Sequence, residues 1–214
     1  MPHLEPNILY ADDALIVADK PAGLLSVPGR GEARQDCLAA RVAARYHDAL
    51  IVHRLDMATS GLILLARGAE MHRRMSKAFE QRTVSKTYVA LVHGHLAADS
   101  GEIALPLICD WENRPRQIVD HALGKKALTR YRVLARLEVA DVAVTRVELQ
   151  PVTGRSHQLR VHLAEIGHPI LGDPLYAESD SAQRYPRMHL HAASIAFVHP
   201  HARTPVHFDC PPPF

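Results

Sequence analysis

Strand-like segments follow one another along this chain, and their order restricts the fold more than any other feature of the sequence. Stretches rich in apolar, β-branched and aromatic residues are typical of strands when turn-forming residues bound them. Such stretches lie at residues 8–20 (two strands around a turn), 62–66, 86–93, 103–108, 129–136, 142–149 and 189–199. Runs of strands without alternating helices are typical of α+β proteins rather than doubly wound ones. We therefore predict an α+β fold with a mostly antiparallel, mixed central sheet flanked by helices.

Three segments predict the helices beside this sheet. They carry apolar residues one helical turn apart and lie at about residues 36–46, 69–81 and 156–166. In the first, Leu38 and Val42 would face the core, and Asp36 would cap the N-terminus. No internal repeat or flexible linker divides the chain, so we expect residues 1–214 to form a single domain.

The composition narrows the class of protein. The chain has 214 residues, 47% of them hydrophobic and 22% charged, with a formal net charge of +2. This balance suits a soluble globular protein and neither demands nor excludes nucleic acid. Cys37, Cys109 and Cys210 lie far apart, which argues against a disulfide framework and a zinc finger. No apolar run reaches membrane-spanning length, and the N-terminus lacks signal-peptide features. We expect a cytoplasmic protein without membrane contact, and a monomer by default.

A charged turn stands directly before the most apolar strand. Asp56 closes the sequence H-R-L-D and is followed by Thr59, Ser60 and Gly61, and then by the predicted strand 62–66. A carboxylate at such a sheet edge is partly desolvated and can act as a nucleophile or stabilise developing positive charge. An aspartate in a turn also commonly bonds its own backbone. Local chemistry alone leaves both interpretations open and favours the second.

A basic helix start is the second group of candidate residues. Thr153 and Gly154 turn the chain, and Arg155, His157 and Arg160 lie around the first turn of the third predicted helix. Unpaired amides and the helix dipole favour an anion at that place, and arginine binds phosphate or carboxylate in a bidentate manner. An amphipathic helix with a solvated basic face fits the same residues equally well.

Two aromatic residues add weaker signals. Tyr88 lies among small and apolar residues in the predicted strand 86–93, where most tyrosines serve packing. Trp111, the only tryptophan, lies close to Arg114 in a predicted loop. Neighbouring aromatic and basic side chains hold single-stranded RNA in many proteins. The alternative is a tryptophan that anchors the loop to the core.

Together these segments resemble the RluA family of pseudouridine synthases. The most specific match is the family signature H-R-L-D-x-x-T-S-G-L at residues 53–62. The other matching blocks follow in the family's order at residues 20–24, 86–94, 154–162, 167–176 and 189–192. Residues 24–30 and 106–115 are similar to the dual-specificity subgroup, whose members act on tRNA and on large-subunit ribosomal RNA. The resemblance implies the pseudouridine synthase catalytic fold with a central RNA-binding cleft and without an S4 domain.

The resemblance also implies catalytic roles. Asp56 matches the family's catalytic aspartate, and Arg160 matches the arginine that pairs with that aspartate and keeps it ionised. Tyr88 matches the tyrosine that stacks on the base and assists proton removal. The reaction converts uridine in RNA to pseudouridine without a redox change. We therefore expect an isomerase that needs no cofactor and no metal.

RNA contacts are implied for a further set of residues. The target uridine must be flipped out of folded RNA before it reaches a catalytic group. Arg54 matches a residue that fills the gap left by the flipped base. Arg155 and His157, with the loop that carries Trp111 and Arg114, would then hold backbone phosphates.

Other reaction classes fit the sequence less well. Residues 154–158, G-R-S-H-Q, approach the G-x-S-x-G pattern of serine hydrolases but lack the final glycine. His157 and His162 are five residues apart and do not share a helix face, so they do not form a zinc pair. An RNA-binding module of the same fold that has lost catalysis is the remaining alternative. The presence of all three candidate catalytic residues argues against it.

Overall fold

Strands provide most of the regular structure, as the sequence predicted. The computed structural model describes residues 5–139, 142–178 and 184–214. Within these ranges the strands are β1 (Asn7–Ala11), β2 (Leu15–Lys20), β3 (Ala49–Ile51), β4 (Ser60–Arg67), β5 (Ser85–His93), β6 (Ser100–Ile103), β7 (Leu107–Cys109), β8 (Gln117–Val119), β9 (Thr129–Val139), β10 (Val142–Pro151), β11 (Leu190–Val198) and β12 (Pro205–Asp209). The α+β class and the mixed sheet are confirmed, because β4 and β11 pair in parallel while β2, β9 and β10 pair antiparallel with their neighbours.

All three predicted helices are present. They are α1 (Leu38–Arg45), α2 (Gly68–Glu80) and α3 (Gln158–Glu165), and a short 3-10 turn lies at Glu32–Arg34. Helix α2 buries Met75, and Met71, Ala78 and Phe79 pack against the same core, as its apolar spacing predicted. None of the described helices is long and apolar enough to cross a membrane.

Two helix starts differ from the prediction. The Sγ atom of Cys37 accepts a hydrogen bond from the amide of Ala40 (3.4 Å), so Cys37 rather than Asp36 caps α1. The carboxylate of Asp36 instead pairs with Arg41 at 2.7 Å. Helix α3 begins two residues later than predicted, because His157 has a left-handed backbone conformation with φ of 52°.

The described chain forms two compact units. The first contains the chain up to Lys86 and the segment His191–Pro213, and the second contains Thr87–Leu190 and Phe214. Each unit has its own group of buried apolar side chains. The single domain expected for residues 1–214 stays a prediction.

In the first unit, β4 is the most deeply buried strand. Residues 62–66, predicted as a buried strand, are each at most 2% exposed. β2 pairs along most of β4, whereas β11 pairs with its first two residues, Ser60 and Gly61. Gly61 has φ of 104°, and a Cβ atom at this position would collide with the backbone of Ala192. The close approach of β4 and β11 therefore requires glycine.

In the second unit, β5, β10, β9 and β6 pair antiparallel in that order. The single strand predicted at residues 103–108 is wrong, since β6 ends at Ile103 and β7 begins at Leu107. Pro106 lies between them and has no amide hydrogen to donate to a strand ladder. β7 pairs with β8 instead, and residues 110–116, called here the 110–116 loop, connect the two strands.

Candidate active site

Asp56 lies half-buried in the loop that leads into β4, and neighbouring residues hold its backbone. The hydroxyl group of Ser26 donates to the carbonyl oxygen of Leu55 (2.7 Å) and accepts from the Leu55 amide (3.1 Å). The carbonyl oxygen of Met57 accepts from the amide of Gly23 (2.8 Å). Hydrogen bonds thus fix the backbone on both sides of Asp56, and with it the position from which the side chain of Asp56 extends.

A buried lysine supports the same loop. Lys20 is 0% exposed, and its ammonium group donates to the carbonyl oxygens of Pro21 (2.9 Å), Leu24 (2.8 Å) and Met57 (3.2 Å). A buried ammonium group is tolerated only when hydrogen bonds replace its hydration. One cation therefore joins the K-P-x-G turn to the residue that follows Asp56.

His53 fastens the other end of this loop to β4. Its Nε2 atom accepts a hydrogen bond from the amide of Leu64 (2.9 Å), and its ring stacks on Phe79 with centroids 4.7 Å apart. Burial, and to a lesser extent the positive charge of Lys86, lowers the pKa of His53 to about 3. The imidazole is therefore neutral at physiological pH, with its proton on Nδ1, since Nε2 is an acceptor.

The low pKa of His53 predicts a pH dependence of stability. The unfolded chain takes up a proton on His53 below about pH 6.5, whereas the folded chain does so only near pH 3. The free energy of unfolding should therefore fall as the pH drops through this window. His53→Asn keeps a hydrogen-bond acceptor but does not titrate, so this fall should be less steep by about one proton. Urea unfolding at several pH values measures the slope.

A control separates titration from simple destabilisation. Thr145 is 0% exposed, donates to the carbonyl oxygen of Gly94 (2.8 Å) and accepts from the amide of Leu96 (3.0 Å). Thr145→Val loses this hydroxyl group but no titrating group, and should keep the original slope. An unchanged slope in His53→Asn would mean that His53 titrates alike in both states.

Arg160 lies on α3 and is 3% exposed. Its Nε and Nη2 atoms donate to the two carboxylate oxygens of Asp173, both at 2.7 Å. Asp173 is 0% exposed and also accepts from the amides of Leu175 (2.9 Å) and Tyr176 (3.2 Å). The bidentate pair compensates the burial of both charges and fixes the plane of the guanidinium group.

Tyr176 lies against Arg160 and reaches His157. The guanidinium carbon of Arg160 is 5.1 Å from the centroid of the Tyr176 ring. The hydroxyl group accepts from the amide of Gln117 (2.8 Å) and lies 2.7 Å from Nδ1 of His157. Burial raises the pKa of Tyr176, so the hydroxyl group keeps its proton at neutral pH.

The turn before α3 is braced by Gln158. Its Oε1 atom accepts from the hydroxyl group of Thr153 (2.7 Å) and from the amide of Arg155 (3.0 Å), and its Nε2 atom donates to Thr129 (3.0 Å). The side chain of Arg155 is exposed, with Nε donating to the carbonyl oxygen of Lys126 (3.2 Å). These hydrogen bonds fix the turn, and the guanidinium group of Arg155 is exposed to solvent.

Trp111 and Arg114 form the exposed part of the 110–116 loop. Trp111 is 67% exposed, and the guanidinium carbon of Arg114 lies 4.7 Å from the centroid of its ring. The alternative in which Trp111 anchors the loop to the core is wrong, because most of the side chain is in contact with solvent. An exposed ring beside a cation is suited to stacking on bases next to phosphates.

The predicted site residues divide between the two units. Arg54, which is exposed, and Asp56 lie in the first unit. The second unit contains Tyr88, which is half-buried in β5 opposite Leu149, and the remaining candidates Trp111, Arg114, Arg155, His157 and Arg160. It brings His157 and Arg160 together around Tyr176, and Trp111 together with Arg114. The pairing of Asp56 with Arg160 stays a prediction.

Sequence reasoning assigned no role to several residues that support the site. Lys20 and Ser26 hold the Asp56 loop, while Asp173 and Tyr176 hold Arg160. The available signal for Asp173 was a charged residue within the otherwise uncharged segment 169–175, P-I-L-G-D-P-L, because an aspartate buried among such residues rarely lacks a partner.

One group among the described residues has the composition of a metal site. Asp19, His191 and Cys210 each place one potential ligand atom within 4.8 Å of the others. Both ring nitrogens of His191 are engaged, with Ser60 Oγ (2.8 Å) and with the carbonyl oxygen of Cys210 (3.0 Å). Burial, with a contribution from Asp19, raises the pKa of the Cys210 thiol to about 11. The group is therefore organised as a hydrogen-bonded cluster around a protonated thiol.

Comparison with known proteins gives a consistent family. The family model described as RNA pseudouridylate synthase matches residues 14–165. "Dual-specificity RNA pseudouridine synthase RluA" of Yersinia pestis is 49% identical over 203 residues, which cover 95% of this chain and 97% of that protein. The protein of the same name from Escherichia coli K12 is 47% identical over 207 residues, covering 97% of this chain and 93% of that protein.

A solved structure agrees with these relatives. "Human RNA Pseudouridylate Synthase Domain Containing 1" superimposes with a TM-score of 0.83 at 29% identity, and the match covers 98% of this chain and 84% of that one. The motif at residues 53–62 and the α3 motif both lie inside the segment that the family model matches. The chain therefore belongs to the RluA branch of the RNA pseudouridine synthases, isomerases that convert uridine in RNA to pseudouridine.

Proposed function

We propose that this enzyme is dual-specific and modifies one uridine in the anticodon stem-loop of certain tRNAs and one in large-subunit ribosomal RNA. The identity of 49% with the relative from Yersinia pestis, extending over 95% of the chain, is the observation that carries the proposal. That relative and the other relatives at 47–49% identity are named as dual-specificity RNA pseudouridine synthases. Such identity over nearly the full chain supports a shared substrate range.

In the proposed mechanism Asp56 is the catalytic carboxylate. The N-glycosidic bond between N1 and C1′ breaks, and C1′ becomes electron-poor. Asp56 stabilises this carbon either by covalent attack or by its charge, and the buried strand β4 behind it excludes water. The uracil then turns and C5 bonds to C1′, after which the proton on C5 leaves and N1 takes up a proton. The atoms of uridine are conserved.

Two residues assist this carboxylate in the proposal. Arg160 pairs with Asp56 and keeps it ionised, and the fixed guanidinium plane beside Asp173 suits that role. Tyr88 stacks on the uracil and assists removal of the proton from C5. The reaction involves no redox change, so the proposed enzyme works without a cofactor or metal. We also propose that it is a monomer and acts in the cytoplasm.

RNA binding is assigned to exposed basic and aromatic side chains. Arg54 fills the gap left by the flipped uridine, while Arg155 and His157 bind phosphates at the start of α3. Trp111 stacks on an unpaired base, and Arg114 adds positive charge beside it. The exposure of Arg54, Arg155 and Trp111 supports these roles.

Trp111→Ala should weaken RNA binding because it removes the exposed stacking surface. Base stacking on an aromatic residue contributes about 1–3 kcal/mol, so the dissociation constant should rise by about 5- to 150-fold. Filter binding with an anticodon stem-loop RNA measures this change. Leu123→Ala is the control, since Leu123 is 74% exposed in the following turn but has no ring to stack. An equal loss in both variants would contradict stacking by Trp111.

The function is tested with RNA that carries tritium at C5 of uridine. The protein should release label from an anticodon stem-loop RNA and from a large-subunit ribosomal RNA fragment, because the C5 proton is lost in the reaction. Release from only one RNA would overturn the dual specificity. Release from neither would favour the RNA-binding module without catalysis. Mapping pseudouridine in total RNA from cells with and without the gene then identifies the modified positions.

A further inference from the structure

The hydroxyl group of Tyr176 joins two elements that the function proposed above assigns to RNA binding. It accepts from the amide of Gln117 at 2.8 Å and lies 2.7 Å from Nδ1 of His157. Gln117 directly follows the 110–116 loop and pairs with Cys109 on the opposite side of the hairpin. His157 directly precedes α3. One hydroxyl group therefore ties the base of the loop to the start of the helix.

The ring of Tyr176 connects the same two elements a second time. The guanidinium carbon of Arg160 on α3 lies 5.1 Å from the ring centroid, and that of Arg116 in the 110–116 loop lies 5.3 Å from it. The amide of Tyr176 donates to Asp173, the carboxylate that also holds Arg160. Tyr176 thus contacts Asp173, which holds the predicted catalytic residue Arg160, and it also contacts the predicted RNA-binding loop through Arg116.

The opposite end of the hairpin has an anchor that involves the ring of Tyr176 but not its hydroxyl group. Leu107 of β7 and Val119 of β8 pair with each other at the end remote from the 110–116 loop, and both pack in one apolar cluster with Val161 of α3. This packing holds the hairpin on the helix whether or not the hydroxyl group is present. The hydroxyl group of Tyr176 contacts the hairpin at the loop end, at Gln117.

We propose that Tyr176 is a positioning residue, whose hydroxyl group holds the 110–116 loop at the start of α3 in the arrangement that binds RNA, and whose ring orients Arg160. This inference rests on the proposed function, because the contacts of the Tyr176 hydroxyl group can affect RNA binding only if the 110–116 loop binds RNA. The hydroxyl group contributes to RNA binding, and the ring contributes to the orientation of Arg160.

Tyr176→Phe tests the hydroxyl group, since it keeps the ring. Loss of the part-buried hydrogen bond to Gln117 releases the base of the loop, and we expect about tenfold weaker binding of the anticodon stem-loop RNA. The single-turnover rate at saturating RNA should stay within about twofold, because the ring still lies against Arg160. Tyr176→Leu also removes the ring and should lower this rate by about tenfold. A fall confined to the rate in Tyr176→Phe, with unchanged affinity, would overturn the proposal.

The only tryptophan of the chain provides a direct reading of the loop without RNA. In Tyr176→Phe the fluorescence anisotropy of Trp111 should fall, because the base of its loop is released. Tyr185→Phe is the matched control. Its hydroxyl group is buried with no hydrogen-bond partner among the described residues, so its removal should change neither anisotropy nor affinity. Unchanged anisotropy in Tyr176→Phe would overturn the coupling.

Hydrogen exchange in the unaltered protein tests the contact between Gln117 and Tyr176 even if a variant fails to fold. The Gln117 amide donates to the partly buried hydroxyl oxygen of Tyr176, so its hydrogen exchange should be slow, whereas exchange as fast as in an unstructured peptide would overturn the link. Failure of the proposed function is recognised separately. In that case the unaltered protein releases no tritium from either RNA, whatever Tyr176→Phe does to the anisotropy of Trp111.

Discussion

Replacing Asp56 by asparagine should lower the rate of pseudouridine formation by at least about 10³-fold while RNA affinity stays within about threefold. Asparagine has nearly the same size but offers neither a nucleophile nor a negative charge to the electron-poor C1′. The backbone at this position is held through Leu55 and Met57, so the loop should keep its shape. Single-turnover release of tritium measures the chemical step, and filter binding measures affinity.

Asp13→Asn is the matched control for Asp56→Asn. Asp13 is an exposed turn aspartate in the same unit, so its replacement makes the same change of charge away from the loop. It should leave the rate within about twofold. If Asp56→Asn kept the rate of the unaltered protein, another group would perform the chemistry. If Asp56→Asn lost affinity and rate in the same proportion, Asp56 would serve binding instead.

Features set by local patterns were predictable from the sequence. The unbroken apolar residues 62–66 predicted a strand buried on both faces, and β4 is that strand. The spacing of Met71 and Met75 predicted the buried face of α2. In both cases the local spacing of apolar residues is enough to predict which side chains are buried, because the pattern is read from one continuous segment of the chain.

Features set by distant partners were not predictable. β12 is a short segment that becomes a strand only because β11 pairs with it. Helix α3 begins only after His157, because the backbone of His157 is left-handed, and the sequence around His157 did not predict that conformation. Asp173 follows Arg160 by 13 residues, and only the folded turn brings the two together. The motif therefore identified Arg160 but not the carboxylate that holds it.

Arg160→Met should lower the single-turnover rate much more than RNA affinity. It should also reduce the free energy of unfolding by about 3–5 kcal/mol, because it leaves the carboxylate of Asp173 buried without its cation. The methionine fills most of the space of the arginine stem, so the loss arises chiefly from the uncompensated charge. Urea unfolding measures stability, and tritium release measures the rate. An affinity that fell as far as the rate would show that Arg160 serves RNA binding.

The double variant Arg160→Met/Asp173→Asn separates folding from catalysis. Replacement of a whole buried ion pair by neutral groups is often close to neutral for stability, and the side-chain oxygen of the introduced asparagine would still accept from the amides of Leu175 and Tyr176. Most of the roughly 3–5 kcal/mol lost in Arg160→Met should therefore return, a coupling that a double-mutant cycle quantifies. Activity should not return, since the guanidinium group proposed to orient Asp56 is still absent. Recovery of activity together with stability would mean that Arg160 acts only through the fold.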